Sequence, residues 1–466
     1  MKPTYEQLEK ELELTKAALS RTNELLKKAL EKISELEEKI KLNSKNSSKP
    51  PSSDKKPNTP PKAKKPKQSR LGFSKAMFPP DKISKFIECS CKDCEFCGSS
   101  DIFEVDIPPK ILQQIELPEV KAIITEYLRK KYKCSTCGNQ SIGQLPEGIP
   151  DSAFGPKVMA LFTTLTGVFH LAKREAIQLI KDLYDIEVSL GSSSNIEERV
   201  ANAIDPIYEK IHNLIINGNL CKHFDETSWR TDGKRRYVWV ASCSEAACYN
   251  IDPSRIRAAF EKFLGFPSSN LEKATTDRYS VYNTISKFHQ YCLAHLIRDF
   301  QRFAEKESDD KTIGEALAKD LAKACQIHRE FREDNITKKQ RNIRLGHLKR
   351  KIKESFFDGL ANGSDKLAAI CENLLNDFDN LWAFTKVDGM EPTNNTAERD
   401  MRKIVIWRKK SFGTRSLRGE KFVERITSIA ETLKRQKKNI LSFLEAAIAS
   451  FYGKGKLPEI STALGI

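Results

Sequence analysis

Apolar residues recur every seven positions at the start of the chain: Tyr5, Leu12, Leu19, Leu26, Ile33 and Ile40. Leu8, Thr15, Thr22, Ala29 and Leu36 fill a second seam, three and four residues away from the first. Glu and Lys flank both seams. This spacing predicts one helix over residues 5–42 with a single apolar stripe, the signature of a coiled coil that needs a partner. The two threonines weaken the seam. From Pro156 the step is again three and four, predicting helices over Pro156–Phe169 and Lys173–Tyr184. After a break at Val188–Gly191, the run Ser192-Ser193-Ser194-Asn195 reads as the capped start of a third helix. At 217 the period changes to two. Leu220–Phe224, Tyr237–Ser242 and Ala247–Ile251 read as strands, the first two joined by a Thr231–Lys234 turn. A helix over Arg255–Leu264, a strand over Lys273–Thr276, a strand over Phe288–Cys292 and a helix from Leu293 follow. Residues 307–390 and 395–452 read as almost entirely helical.

Three hairpin strands, a helix and a strand ending in an acid give the order of a ribonuclease-H-like fold. The expected fold class is a multidomain α/β chain. It has a coiled coil (1–42), a basic linker (43–80), a zinc ribbon (81–148) and a helical, helix-turn-helix-like DNA-binding region (149–216). A ribonuclease-H-like catalytic domain (217–408) follows, carrying an all-helical insertion at about 307–390, and then a basic helical C-terminus (409–466). The linker composition cannot build a core: residues 43–70 hold nine Lys/Arg against one acid, Asp54.

The 466 residues carry a net charge of +16. A basic surplus of this size favours a polyanionic partner, nucleic acid before membrane. No run of eighteen apolar residues predicts a membrane span, and no apolar leader is evident, so a cytoplasmic, nucleoid-associated location is expected. Twelve cysteines without a leader argue for reduced thiols and a metal site. Cys94-x-x-Cys97 and Cys134-x-x-Cys137 each present two thiolates from one turn. Together they offer the four sulfurs of a closed, structural Zn²⁺ site, with strand-like stretches (Phe103–Ile107, Lys121–Lys131) in the 36-residue gap. Cys89 and Cys91 lie beside the first pair.

Asp225 and Asp277 fall at predicted strand ends, 52 residues apart; Glu398 lies 121 residues further on, at a predicted helix start. Neighbouring strands would bring the first two together, and a later helix could bring the third. Three carboxylates at one point call for divalent cations, and oxygen ligands suit Mg²⁺ or Mn²⁺. Two such ions could drive in-line phosphodiester displacement. Simpler roles compete: a cap or turn for Asp225, an i,i+4 partner of Arg402 for Glu398. Around Glu398, Arg399, Arg402, Lys403, Arg408, Lys409, Lys410 and Arg415 face few acids, which favours phosphate contact. Cys292-x-x-His295 has the spacing of two zinc ligands but lacks a second pair nearby; a buried strand end and a packed or capping histidine explain it equally.

The chain resembles the IS66 family of bacterial insertion-sequence transposases, of the DDE class. The matching pieces are the Asn/Ser/Lys/Pro linker Leu42–Asp54, the two CxxC knuckles, His223-Phe224-Asp225-Glu226-Thr227, and Thr276-Asp277-Arg278-Tyr279 with Tyr282. Cys292-Leu293-Ala294-His295 with Arg298 and Asn394-Asn395-Thr396-Ala397-Glu398-Arg399 with Arg402 complete them. The resemblance implies that Asp225, Asp277 and Glu398 are catalytic acids holding two Mg²⁺ ions, with Cys292, His295, Arg399 and Arg402 in support. It also implies double-stranded DNA as partner, at element ends and target, and accessory transposition proteins; the coiled coil suggests a homodimer or larger assembly. Arg278 departs from the glycine usual at that place. A zinc-dependent DNA-binding regulator with an inactive nuclease-like domain, and a structure-specific nuclease, are the competing functions.

Overall fold

The computed structural model describes residues 5–43, 77–283, 285–305 and 309–461. Most of the expected basic linker lies outside the described residues. The chain divides into two units, residues 56–123 and the remainder. In the smaller unit the first CxxC forms a tight turn, and Gln113 exchanges hydrogen bonds with both backbone groups of Phe78 (2.6 and 3.0 Å).

In the larger unit, α1 spans Tyr5–Lys41. Its seam residues Leu12, Leu19, Leu26, Ile33 and Ile40 are all exposed. A short hairpin follows, β1 (Lys131–Lys133) with β2 (Gln140–Ile142), clasping the second CxxC. The strands expected at Phe103–Ile107 and Lys121–Lys131 do not form: residues 101–130 join no ladder, and alternation without a pairing partner leaves extended, exposed chain. Next come α2 (Pro156–Thr163), running into a wider π-type turn at Thr164–Val168, then α3 (Lys173–Tyr184), α4 (Leu190–Ala203) and α5 (Asp205–Asn217). The cap of α4 is Ser189, whose hydroxyl accepts the Ser192 N–H (3.0 Å), so the helix starts before the serine run and not within it.

The central sheet contains β3 (Lys222–Thr231), β4 (Lys234–Ser242), β5 (Ala247–Asp252), β6 (Leu271–Thr276) and β7 (Ser286–Tyr291), with α6 (Arg257–Leu264) between β5 and β6. Its order is β5-β4-β3-β6-β7. The first three strands form an antiparallel meander, and β6 and β7 add parallel to β3. The β3–β4 turn is the expected Asp-Gly type, with Asp232 and Gly233 both at positive φ (51° and 74°). Asp225 therefore lies inside a ten-residue strand and not at its end. The reason is unequal pairing: β3 pairs with β4 from His223 to Thr231 but with β6 only at Lys222 and His223.

After β7 the chain turns into α7 (Leu293–Ala304), then α8 (Asp310–Arg332), α9 (Lys338–Asn362), α10 (Asp365–Asn376) and the short α11 (Ala383–Lys386). These helices build their own apolar core around Phe300, Leu321, Ile352, Phe356 and Trp382, which reaches the sheet through Tyr291 of β7. The chain then returns as α12 (Asn395–Ser411), lying over β3 and β4, followed by α13 (Leu417–Arg435) and α14 (Ile440–Phe451). A second core joins the sheet to α2, α4, α5, α12, α13 and α14.

Helix α13 closes the free edge of β5. Thr432, Ser428 and Glu424, one helical turn apart, accept the N–H groups of Ala247 (3.2 Å), Tyr249 (2.9 Å) and Ile251 (2.6 Å). These are the groups an exposed edge strand would offer to another chain. The acids of this basic C-terminal stretch face inward: Glu424 on β5, Glu420 on Arg236 (3.2 Å), and Asp400 on Ser242 (2.5 Å) and Arg435.

The far end of α12 is fixed where Thr414 meets the tip of the β3–β4 hairpin. Its N–H donates to Arg230 and its carbonyl accepts from Asp232, each at 2.9 Å. Gly413 makes this possible, with φ of 110° and a position where a Cβ would lie 2.1 Å from the Arg230 oxygen. Gly413→Ala is expected to cost about 2–3 kcal/mol, from strain and a backbone clash. Calorimetry would register it as a lower melting temperature.

Candidate active site

The parallel pairing of β3 with β6 stops two residues before the first of two acids. Lys222 faces Ala274 and His223 faces Thr275, an offset of 52, and the same offset two residues on takes Asp225 to Asp277. Asp225 Oδ1 accepts the N–H of Glu226 (2.9 Å), and Asp277 Oδ1 accepts the N–H of Tyr279 (3.0 Å). Each carboxylate is thereby tied to its own backbone. Arg278, in place of the usual glycine, does not adopt positive φ. Its guanidinium reaches Asp299 on α7 (3.1 Å), so the turn tolerates a side chain and gains a link to α7.

Glu398 arrives from α12. It occupies the first helical turn, where a carboxylate is favoured by the helix dipole, and its N–H donates to the Asn394 carbonyl (3.1 Å). Its Oε1 lies 3.5 Å from both His295 Nδ1 and the Arg298 guanidinium. Its partners are thus on α7, not Arg402 of its own helix. Burial, first, and then the charges of Glu226 and Asp277 push the Asp225 carboxyl far above its ordinary range; Glu398 adds to this. The same causes, burial and then Glu226, raise Asp277 to about 6. The charge of Glu398 therefore reaches both sheet acids, and that of Asp277 reaches Asp225.

Asn394, 1% exposed, joins three pieces of the site. Its side-chain N–H donates to the Phe224 carbonyl (2.7 Å), one residue beyond the last β3–β6 pair. Its Oδ1 meets His223 Nδ1 (3.3 Å), and its own N–H donates to Cys292 Sγ (3.1 Å). An amide side chain thus continues the ladder where β6 leaves β3, and it starts the helix that carries Glu398. Cys292 in turn donates its N–H to Thr276 (2.8 Å), next to Asp277.

Glu226 is a second group that sequence reasoning passed over. It is buried on the strand face opposite Asp225 and is held by Arg255 (3.0 Å) and the Tyr282 hydroxyl. Two adjacent acids on one buried strand imply that each face needs its own counter-charge; that was the available signal. Arg399 and Lys403 line a cleft of about 800 Å³ with His223, Asp400 and Arg435, on another flank of α12 from Glu398. Arg408 donates to Thr227 Oγ1 (3.3 Å) and to Ser228, bracing α12 on β3. Arg402, Lys409, Lys410 and Arg415 are exposed.

The two CxxC turns are built alike. The Cys94 N–H donates to the Ser99 carbonyl (2.9 Å) and the Cys94 carbonyl accepts the Gly98 N–H (2.8 Å); Cys134 does the same with Asn139 and Gly138 (2.8 and 3.0 Å). Gly98 and Gly138 sit at φ of 73° and 74°. Backbone N–H groups of Phe96 and Cys97 lower the Cys94 thiol, and those of Cys137 and Thr136 bring Cys134 down to about 7. Each turn favours thiolate, the form that binds metal. Cys97 and Cys137, the second thiol of each turn, are exposed, as are Cys89 and Cys91.

The model of the "Transposase IS66 family" matches residues 151–421, more than half of the chain and all three acids. The chain belongs to the IS66 family of transposases. A second model, of a family of unknown function (DUF6444), matches residues 1–76 of this transposase. An uncharacterized protein of Sinorhizobium fredii, y4jD, is 22% identical over 403 residues, covering 78% of this chain and 75% of its own. Among the described residues of the transposase no helix is long and apolar enough to cross a membrane.

The crowded acids set a pH dependence. A folded value of about 6 for Asp277, against an ordinary 3.8, means that the folded protein holds this proton more tightly than the unfolded chain. The associated stability is full below pH 3.8 and is lost as pH rises through about 6. Metal-free transposase is therefore expected to melt at lower temperature as pH rises across this window. Asp277→Asn should lose less, and Mg²⁺ should flatten the decline. Calorimetry in EDTA and in Mg²⁺ checks all three.

Proposed function

We propose that this transposase is a DDE enzyme that cleaves DNA at the ends of its element and joins the freed 3′-hydroxyls to target DNA. The sheet order, with an acid on β3 and a second directly after β6, supports the reading of residues 217–408 as a ribonuclease-H-like catalytic domain interrupted by helices α8–α11. The observation that carries the proposal is that the charges of Asp277 and Glu398 raise the Asp225 carboxyl and that of Glu398 raises Asp277, so the three acids lie close enough to share divalent ions. Half-buried carboxylates whose charges raise a neighbour's proton affinity fit divalent cations, because such ions relieve the repulsion that protons otherwise relieve. When bound, a pair of Mg²⁺ or Mn²⁺ ions held by Asp225, Asp277 and Glu398 would activate the attacking oxygen and stabilise the leaving one in an in-line displacement.

The residues around the acids supply position and charge. Asn394 and Thr414 hold the two ends of α12 against β3, so Glu398 meets the sheet acids on a rigid frame. Arg298 of α7 counters the charge of Glu398, with His295 beside it. Arg402 and Lys409 follow Glu398 on the same face of α12, at steps of four and seven, and continue a stripe that suits a DNA phosphate backbone. Lys403, Lys410 and Arg415 extend this charge, while Arg408 serves α12 itself. The donor chemistry of each CxxC turn, Cys94 with Cys97 and Cys134 with Cys137, is that of structural zinc.

The exposed seam of α1 supports self-association of the transposase. Burying a leucine contributes about 1.5–3 kcal/mol, and a dimer would bury each seam leucine twice. Leu26→Glu is expected to weaken pairing about a hundredfold or more, read by sedimentation. The function itself is tested by incubating the transposase with end DNA, Mg²⁺ and a target plasmid. Joined products support the proposal. Cleavage without joining would make it a nuclease, and binding without cleavage a regulator.

A further inference from the structure

Cys292, His295 and Glu398 bring three different donor atoms together. Cys292 Sγ, a ring nitrogen of His295 and a Glu398 oxygen all lie within 4.8 Å of one another. His295 Nδ1 is 3.5 Å from Glu398 Oε1. Ligands bound at about 2.0–2.3 Å around a tetrahedral ion sit about 3.3–3.8 Å apart, so this edge needs almost no adjustment. His295 Nδ1 is also buried without a hydrogen-bond partner, and a buried ring nitrogen left in that state points to a missing ligand. The sulfur end is dry, with Cys292 fully buried, while the His295 and Glu398 side chains are 28% and 29% exposed. An ion can enter from the solvent side.

The donor set differs from that of the acid triad. Thiolate with imidazole selects a borderline ion such as Zn²⁺, whereas Asp225 and Asp277 offer oxygen alone. We propose that Cys292, His295 and Glu398 form a second metal site that takes Zn²⁺ or a similar thiophilic ion and occupies the Glu398 carboxylate where it stands, denying it to the catalytic metal ions. The site is inhibitory, a consequence that rests on Glu398 being the third acid of the proposed active centre. Binding exchanges the Cys292 S–H bond for an S–metal bond and releases one proton to solvent. The Asn394 N–H at 3.1 Å supports the sulfur from the second layer. Three protein ligands leave the fourth position to water. Arg298, 3.5 Å from the same Glu398 oxygen, holds the carboxylate when the ion is absent.

Cobalt(II) reports the site directly, because thiolate ligation gives a near-ultraviolet charge-transfer band. Full-length transposase with its knuckle thiols occupied by zinc is titrated with Co²⁺ without Mg²⁺, alongside Cys292→Ser and His295→Gln. The unsubstituted protein should take up one more equivalent than Cys292→Ser and show a thiolate band that this variant lacks. His295→Gln should bind at least about tenfold more weakly. Matching uptake and superimposable spectra in the unsubstituted protein and Cys292→Ser would overturn the site. In Mg²⁺, added Zn²⁺ should slow end cleavage by the unsubstituted protein, and Cys292→Ser, referred to its own zinc-free rate, should lose that sensitivity. Equal inhibition of both would overturn the regulatory role. Asp225→Asn separates the two readings: its cobalt band should persist, whereas continued cleavage by this variant would sink the catalytic assignment alone.

Discussion

Asp225→Asn is expected to reduce Mg²⁺-dependent cleavage of the element ends by about a thousandfold or more, the scale on which removing one group at the developing charge acts. End binding should be retained. The substitution keeps the shape of the side chain and an oxygen for the Glu226 N–H, so β3 has no reason to change. It removes a charge that lies beside Glu226 and Asp277 in a buried setting. Metal-free protein should therefore melt at a higher temperature than the unsubstituted chain, while losing the rise that Mg²⁺ produces. That pairing of outcomes distinguishes loss of a metal ligand from misfolding, which would lower stability and binding together. Gel-resolved cleavage and calorimetry on one preparation check both.

The second large effect belongs to a residue that touches no reacting atom. Asn394→Ala leaves the Phe224 carbonyl without its donor and His223 without its acceptor, both buried. Each unsatisfied group costs about 1–3 kcal/mol, so a loss of about 3 kcal/mol is expected. Cleavage should fall about a hundredfold, because the first turn of α12 no longer fixes Glu398 against β3. Asn394→Asp keeps an acceptor for His223 but not the donor to Phe224, and should fall between the two. Unchanged melting temperature and full cleavage in Asn394→Ala would remove this residue from the account.

Much of the frame was legible because local periodicity and turn chemistry agree with the tertiary fold. The α1 heptads, the Asp-Gly turn and the five strands all appear near their expected places. The errors share one cause: each concerned a group whose role is set by a partner distant in sequence. Asp225 seemed to end a strand because the apolar run stops there, but β3 continues on the strength of its pairing with β4 alone. The alternation at Phe103–Ile107 found no partner strand. Asp400 of α12 pairs with Arg435 of α13, and Arg408 reaches Ser228 of β3, contacts that local sequence does not show. Asn394 belonged to a recognised motif, yet its task depends on Phe224, 170 residues away. Glu226 was hidden by standing next to a more conspicuous acid.

Glu398 is an acid among cations of its own helix, and in the fold its counter-charge is Arg298 of α7. The proposed chemistry requires Asp225, Asp277 and Glu398 to hold divalent ions at one place on the sheet. Crystals of the transposase with an end duplex, soaked in Mn²⁺ and measured for anomalous scattering, decide this. Manganese peaks are expected between the carboxylates of Asp225, Asp277 and Glu398. Manganese bound elsewhere, with these three side chains free of it, would rule out the shared metal site.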